Sequence, residues 1–292
     1  TIPSQIGLLS NLETLALIEC PSLHGDMPSE IGRMISLENL AITNSKQGLR
    51  IIPSDIGVLN NLTSLNLKNN NLSELPSQLF ALGSLRALNL KMNKLTGSIM
   101  DGIGSLTSLE ELLLGGNNFE SVYLPSLFIW SLKELTTLDM SDLKLKGSIP
   151  TYGLQALSSL VSLDLKQNQI TGTIPSTVAL LTKLEHLTLS ENSLSGPIPT
   201  EIGQLNQSLS HLDLFFNSLT GSVPMGLNQL SDLEFMDLRE NQLAGSIDWL
   251  CDLVANKEPR SVFFMPIDKE CFATRFDCSR INCSCCNNVW YP

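Results

Sequence analysis

Hydrophobic positions recur along this chain in one fixed order: leucine, two variable residues, leucine, one variable residue, leucine, two variable residues, asparagine, one variable residue, leucine. The order begins at Leu12, Leu37, Leu62, Leu85, Leu109, Leu135, Leu160, Leu184, Leu209 and Leu233, ten registers spaced by 23 to 26 residues. The central leucines alternate with other residues, which predicts a short strand with one face buried. The Gly and Pro positions beyond them predict a turn. A single register cannot cover its own leucines, so stacked neighbours must bury them in a continuous core, and the period predicts a solenoid.

The asparagine position falls where the strand turns, and its side chain can bond backbone groups of adjacent turns. Asn70, Asn93, Asn117, Asn168, Asn192, Asn217 and Asn241 occupy it, while Cys20, Ser45 and Leu143 replace it. Leu143 cannot make such bonds, and a looser turn is expected over residues 141–146. Four later registers continue with Gly147-Ser148-Ile149-Pro150, Gly172-Thr173-Ile174-Pro175, Gly196-Pro197-Ile198-Pro199 and Gly221-Ser222-Val223-Pro224. The register at Leu62 is shorter and carries Leu72, Leu75, Pro76 and Phe80 instead. The one at Leu109 loses the glycine-proline turn and inserts Tyr123, Phe128 and Trp130. Local bends are expected at both.

Together these motifs resemble the plant-type leucine-rich repeat, LxxLxLxxNxLxGxIP, over about residues 1–250. The resemblance implies an α/β fold: a right-handed curved superhelix with a parallel concave β-sheet and a convex side of irregular, 3₁₀ and short helical segments. It also implies that Cys20 is a buried free thiol, because cysteine substitutes for the asparagine in that family. Thr1 to Asn11 reads as the second half of a repeat, with Ile2-Pro3 and Ile6-Gly7 in the turn positions. The start of the chain is therefore expected to be a truncated array, with no signal peptide pattern at Thr1.

Composition divides the chain once more. Of 56 leucines 55 precede residue 251, whereas six of the seven cysteines lie after residue 250. Two regions are expected: a repeat array over residues 1–250 and a cysteine-rich C-terminal cap over residues 251–292. In an oxidising compartment Cys251, Cys271, Cys278, Cys283, Cys285 and Cys286 read as three disulfides of open connectivity, although adjacent Cys285 and Cys286 are expected to take different partners. Zinc is the competing reading of the cluster, disfavoured by the lack of paired CxxC knuckles. No metal or cofactor is expected. Asn61, Asn71, Asn206 and Asn282 head N-glycosylation sequons, although the repeat pattern itself generates some of them.

With 18 basic and 29 acidic residues the net charge is −11, which argues against a nucleic-acid partner. No apolar run spans a bilayer, so no membrane insertion is expected within the chain, and any anchor would lie outside it.

Strand alternation places the third, fifth and seventh positions of each register on the open concave face, enough for one protein, peptide or glycan partner. The earlier registers present Lys68 and Lys91 there, with Arg86 at the margin. The later ones present His186, His211, Asp213, Phe215, Phe235, Asp237 and Arg239, with Phe216 at a strand end. A solvent-facing Phe on a strand has no core to serve, so Phe215, Phe216 and Phe235 are the candidate contact patch. Asp139, Asp164, Asp213 and Asp237 share one column, read as structural, since the resemblance implies aspartate is common there. His186 and His211, with Ser162 in the same column, make a catalytic arrangement conceivable. An open face without oxyanion donors argues against an enzyme.

The resemblance implies an extracellular receptor-like ectodomain, or a fragment of one, that recognises a protein, peptide or glycan. The competing expectations are a secreted inhibitor similar to polygalacturonase-inhibiting proteins, and a structural wall or adhesion component.

Overall fold

The computed structural model describes residues 1–45, 48–97, 100–119, 123–124, 129–246 and 281–282. They fall in two compact units, Thr1–Leu145 and Lys146–Pro292. The cysteines after residue 250 lie outside the described residues.

In the first unit, β1 (Thr14–Ile18), β2 (Asn39–Thr43), β3 (Ser64–Asn66), β4 (Ala87–Asn89), β5 (Glu111–Leu113) and β6 (Thr137–Asp139) pair in parallel and in sequence order. The register aligns the repeat: Leu15 opposite Leu40, Leu40 opposite Leu65, Leu65 opposite Leu88, Leu88 opposite Leu112 and Leu112 opposite Leu138. These leucines are buried and form the core. Besides a short 3₁₀ segment at Ile129–Ser131, four 3₁₀ turns of five residues close the far side, at Ser4–Leu8, Ser29–Arg33, Ser54–Val58 and Ser77–Ala81. Each is preceded by a proline held extended, at Pro3, Pro28, Pro53 and Pro76, whose fixed φ starts the turn. Met100 stands where the other turns have proline, and there the backbone forms a single α-turn, α1 (Met100–Ile103).

The second unit repeats this plan. Its second set of strands lies beyond the sheet in each rung: β7 (Lys146–Ser148) pairs β9 (Gln169–Thr171), and β11 (Ser195–Gly196), β13 (Ser218–Ser222) and β15 (Gln242–Ser246) pair in order. The main parallel sheet is built from β8 (Ser162–Asp164), β10 (His186–Thr188), β12 (His211–Asp213) and β14 (Phe235–Asp237). The second set occurs where the sequence has the Gly-x-Ile-Pro turn. Gly172, Gly196 and Gly221 sit there at φ of 79°, 74° and 80°, a conformation that glycine adopts without a Cβ penalty. Strand β16 (Ile281–Asn282) pairs the end of β15 through Gly245 and Ser246. Each unit is thus a leucine-rich-repeat solenoid with a parallel sheet on one side and 3₁₀ turns on the other.

The asparagines knit the rungs together. Asn192 Nδ2 donates to Leu189 O of its own rung at 3.1 Å and to Leu165 O of the preceding rung at 2.9 Å, while its Oδ1 accepts from Ile170 N at 3.0 Å. Asn217 and Asn241 repeat these three bonds in the second unit, and Asn70, Asn93 and Asn117 repeat them in the first. The three departures behave differently. Ser45 is too short to reach, and its buried Oγ has no hydrogen-bond partner. Cys20 is a free thiol as expected, but it is half-exposed rather than buried. Leu143 is fully buried, and its turn places two residues, Asp142 and Lys144, in the left-handed region.

Replacing Asn192 with Ala should therefore orphan the Ile170 amide, leave the Leu165 carbonyl with Asn168 alone, and cost about 1–3 kcal/mol, read as a lower urea midpoint. Ser45→Ala removes a hydroxyl that bonds nothing and should stay within about 1 kcal/mol of the parent. Equal losses in the two variants would refute the ladder as the source of stability.

Candidate functional site

The eighth residue of the repeat turns left-handed from rung to rung. Glu19, Asn44, Asn69, Met92 and Asp142 do so in the first unit, and Gln167, Glu191, Phe216 and Glu240 in the second, with φ between 51° and 57°. That geometry turns the chain away from the strand and throws the eighth side chain outward. Phe216 is accordingly 52% exposed.

The fifth position caps the strand. Asp139 Oδ1 accepts from Ser141 N at 3.0 Å, Asp164 Oδ1 from Lys166 N at 3.0 Å, Asp213 Oδ1 from Phe215 N at 3.1 Å and Asp237 Oδ1 from Arg239 N at 3.0 Å. Asn66 and Asn89 do the same for Lys68 and Lys91. The aspartate column thus has a structural task at each rung, satisfying an amide that the short strand leaves unpaired.

The basic candidates of the first unit are largely engaged. Arg86 reaches Glu110 at 2.6 Å, and Lys91 pairs with Asp139 two rungs away. Gly115 lies on the rung between them, and a Cβ there would come 2.7 Å from Asp139 Oδ1. Lys68 stands half-exposed in the same column as Lys91.

The second unit gathers the aromatic candidates into two groups. The third position of successive rungs carries His186, His211 and Phe235, aligned by strand pairing. The His211 and Phe235 rings stack at 4.2 Å between centroids and 7° between planes, and His186 stands 5.7 Å from His211. The seventh and eighth positions carry the other group. Phe215 and Phe216 lie 5.9 Å apart, and the Arg239 guanidinium sits 5.2 Å over the Phe215 ring. Arg239 is itself clamped by Asp237 through Nε at 2.9 Å and Nη2 at 2.5 Å, which raises its pKa further. The aromatic patch read from the sequence is thus two stripes, one at each end of the strands, with Asp213 and Asp237 between them. Asp213 also accepts from Ser190 Oγ at 2.6 Å.

Burial pushes the His211 pKa below that of a free imidazole, and the neighbouring charge of His186 adds to this; Asp213 opposes it, and Lys166 lowers it again. A neutral His211 suits a flat stack on Phe235.

One feature lies outside the alternation pattern. At the N-terminal edge of β10, β12 and β14 a polar cavity of about 930 Å³ opens between Lys183, Glu185, His186, Ser210, Asp232 and Glu234, among others. Apart from His186, it is built from residues just before the strands, which the third, fifth and seventh positions do not include. The signal that could have found it is the column Glu185, Ser210, Glu234, in which a small residue separates two large acidic ones.

No curated protein sequence matches the chain. The family model described as leucine-rich repeat region matches residues 12–148, and the leucine rich repeat model matches residues 159–181, 183–205 and 208–230. Among solved structures, a TDR receptor is similar with a TM-score of 0.80 and 32% identity, covering 87% of this chain and 43% of that one. The Arabidopsis receptor kinase HAESA, in complex with the peptide hormone IDA and the co-receptor SERK1, is similar at 0.76 and 34%, covering 84% and 41%. A repeat protein of Leptospira interrogans is similar at 0.64 and 30%, covering 87% and 73%. The chain spans about two fifths of the length of the two receptors. No helix among the described residues is long and apolar enough to cross a membrane.

The lowered pKa of His211 has a stability consequence whose sign is fixed. Below about pH 6.5 the unfolded chain takes up a proton that folded His211 resists, so the contribution of this residue is present above that pH and is lost as pH falls toward its folded value. His211→Gln should therefore flatten the fall of the urea midpoint between about pH 7 and pH 5. Parallel profiles for parent and variant would contradict the assignment.

Proposed function

This chain belongs to the leucine-rich repeat family, and on that premise we propose that it is an extracellular recognition module, a receptor-like ectodomain or part of one, whose ligand is a peptide. The peptide lies across the open sheet face of the second unit and contacts His186, His211 and Phe235 at one end of the strands and Phe215, Phe216 and Arg239 at the other.

Phe216 carries this reading. A bulky side chain in the left-handed region costs about 1–2 kcal/mol relative to a residue that favours it, and an exposed ring recovers little of that by burial. Stability alone would favour Asn or Gly at this position, and Asn69 shows that the fold accepts asparagine at the equivalent place. The left-handed turn recurs at this position from rung to rung, so what sets Phe216 apart is an exposed aromatic ring beside Phe215, the side-chain type that dominates contact patches. The receptor structures support the same reading, since HAESA is seen with a peptide hormone bound.

The open face supports binding over catalysis. His186 is exposed, and a base in bulk water gains none of the low-dielectric leverage that nucleophile activation needs. Lys68, Lys91 and Arg86 belong to the first unit; with Arg86 and Lys91 in ion pairs, they contribute secondary contacts at most.

For the C-terminal cap we propose three disulfides among Cys251, Cys271, Cys278, Cys283, Cys285 and Cys286, and glycans at accessible sequons among Asn61, Asn71, Asn206 and Asn282. Of these, Asn206 is exposed, whereas Asn61 donates its amide to Ile35 O at 3.0 Å. Intact mass of the secreted protein should rise by about six hydrogens on reduction, two for each disulfide opened. A smaller rise, or zinc retained in the native protein, would overturn the cap.

The recognition face is tested by panning a random-peptide display library. The parent should enrich a consensus that the double variant Phe215→Ala, Phe235→Ala fails to bind, with an unchanged melting temperature. Phe216→Asn should raise the melting temperature by a few degrees while weakening the enriched peptides about tenfold. Full binding by the double variant would remove the face assignment.

A further inference from the structure

We propose that the edge cavity of the second unit binds a basic side chain, so that the peptide recognised here carries an arginine or lysine seated between Glu185 and Glu234. The proposal deepens the peptide reading above and rests on it for the identity of the partner, but the cavity can be tested by itself.

Ladder geometry sets the dimensions of the cavity. Glu185 O accepts from both Ser210 N and His211 N at 2.9 Å, and Ser210 O accepts from Glu234 N at 2.7 Å and Phe235 N at 3.0 Å. Glu185, Ser210 and Glu234 are therefore successive members of one column. With rungs about 4.8 Å apart, the two carboxylate-bearing backbones lie about 10 Å from each other. Ser210 between them is small, and its hydroxyl turns down to Glu185 O at 3.2 Å, so the space above it stays open. Two acidic residues on alternate rungs, with one small residue between them, can flank a single guanidinium or ammonium.

Charge balance points to the same class of ligand. Lys183, Glu185, Asp232 and Glu234 all line the cavity, so it carries more acid than base. Among the described residues no ion pair uses Glu185, Asp232 or Glu234.

The cavity is also continuous with the aromatic face. His186 belongs both to the cavity lining and to the His186, His211, Phe235 stripe. A side chain entering the notch thus lies against rings one residue along each strand, where its alkyl stem or guanidinium plane finds π surface. Arg239 over Phe215 is an intramolecular example of that contact on the same face. A ligand carboxylate, by contrast, would meet an Arg239 already closed on Asp237.

The probes are N-acetyl-arginine amide, N-acetyl-lysine amide and the neutral isostere N-acetyl-citrulline amide, titrated into the full chain and followed by backbone amide NMR. The arginine and lysine probes should shift resonances at residues 183–186, 208–211 and 232–235, and citrulline should leave them unmoved. Glu185→Gln with Glu234→Gln should weaken the arginine response at least about tenfold, since each charge-assisted contact is lost. These carboxylates are exposed, so the variant should keep the parent melting temperature. Equal shifts from citrulline, no shifts from either basic probe, or an unchanged response in the double glutamine variant would each overturn the proposal. Phe215→Ala with Phe216→Ala, at the far end of the strands, should keep the arginine response even if it abolishes library binding. Failure of the face and failure of the cavity are thereby told apart.

Discussion

A buried turn must satisfy its backbone, and in this chain one side chain per rung does so for two rungs at once. Each ladder asparagine gives its amide to carbonyls of its own and the preceding rung and takes an amide proton from the preceding one. Leucine burial supplies the drive for stacking, but it is non-directional and would tolerate slippage. The asparagine bonds are directional and leave buried polar groups orphaned if the rungs slide, so they fix the register. Ser45 and Leu143 display the cost of losing that residue: an unpartnered hydroxyl in one rung and an additional left-handed residue, Lys144, in the other.

Once register is fixed by buried positions, the outward ones are free to vary. The third and seventh positions point to solvent, the fifth caps the strand, and the left-handed eighth projects from its end. The second unit uses that freedom for two aromatic stripes. The first unit fills the third and seventh positions without a single aromatic ring, using residues such as Ser64, Ala87, Lys68 and Gly115. On this face the difference lies in side chains, because the main sheet pairs in the same parallel register in each unit.

The fold was almost fully legible in the sequence, because leucine spacing and the asparagine column report core geometry directly. The aspartate column was also read correctly as structural, and the hydrogen bonds from the seventh-position amides give the reason. The candidate site was only partly legible. Phe215 and Phe235 both read as solvent-facing aromatics, yet they belong to different stripes, because periodicity gives the face of a residue and not its place along the strand. The edge cavity escaped altogether: alternation counts positions within the strand, whereas Glu185, Ser210 and Glu234 precede it. Cys20 was legible as a free thiol, but it is half-exposed where the repeat position implied burial.

An open sheet face binds differently from a closed pocket. It cannot exclude water around any one contact, so exposed charge pairs contribute little affinity each and act chiefly on encounter rate and on the choice of partner. Desolvated aromatic surface supplies most of the affinity. In the proposed binding mode the second unit separates these two tasks in space: Phe215, Phe216, His211 and Phe235 would offer the area, and Glu185 and Glu234 at the strand edge would offer the sign. A ligand that matched the aromatic stripes alone would bind in several registers, since rungs repeat every few ångströms. The carboxylates are confined to one edge and flank one small residue, so under the proposal a single basic side chain would be enough to select one register from the repeat.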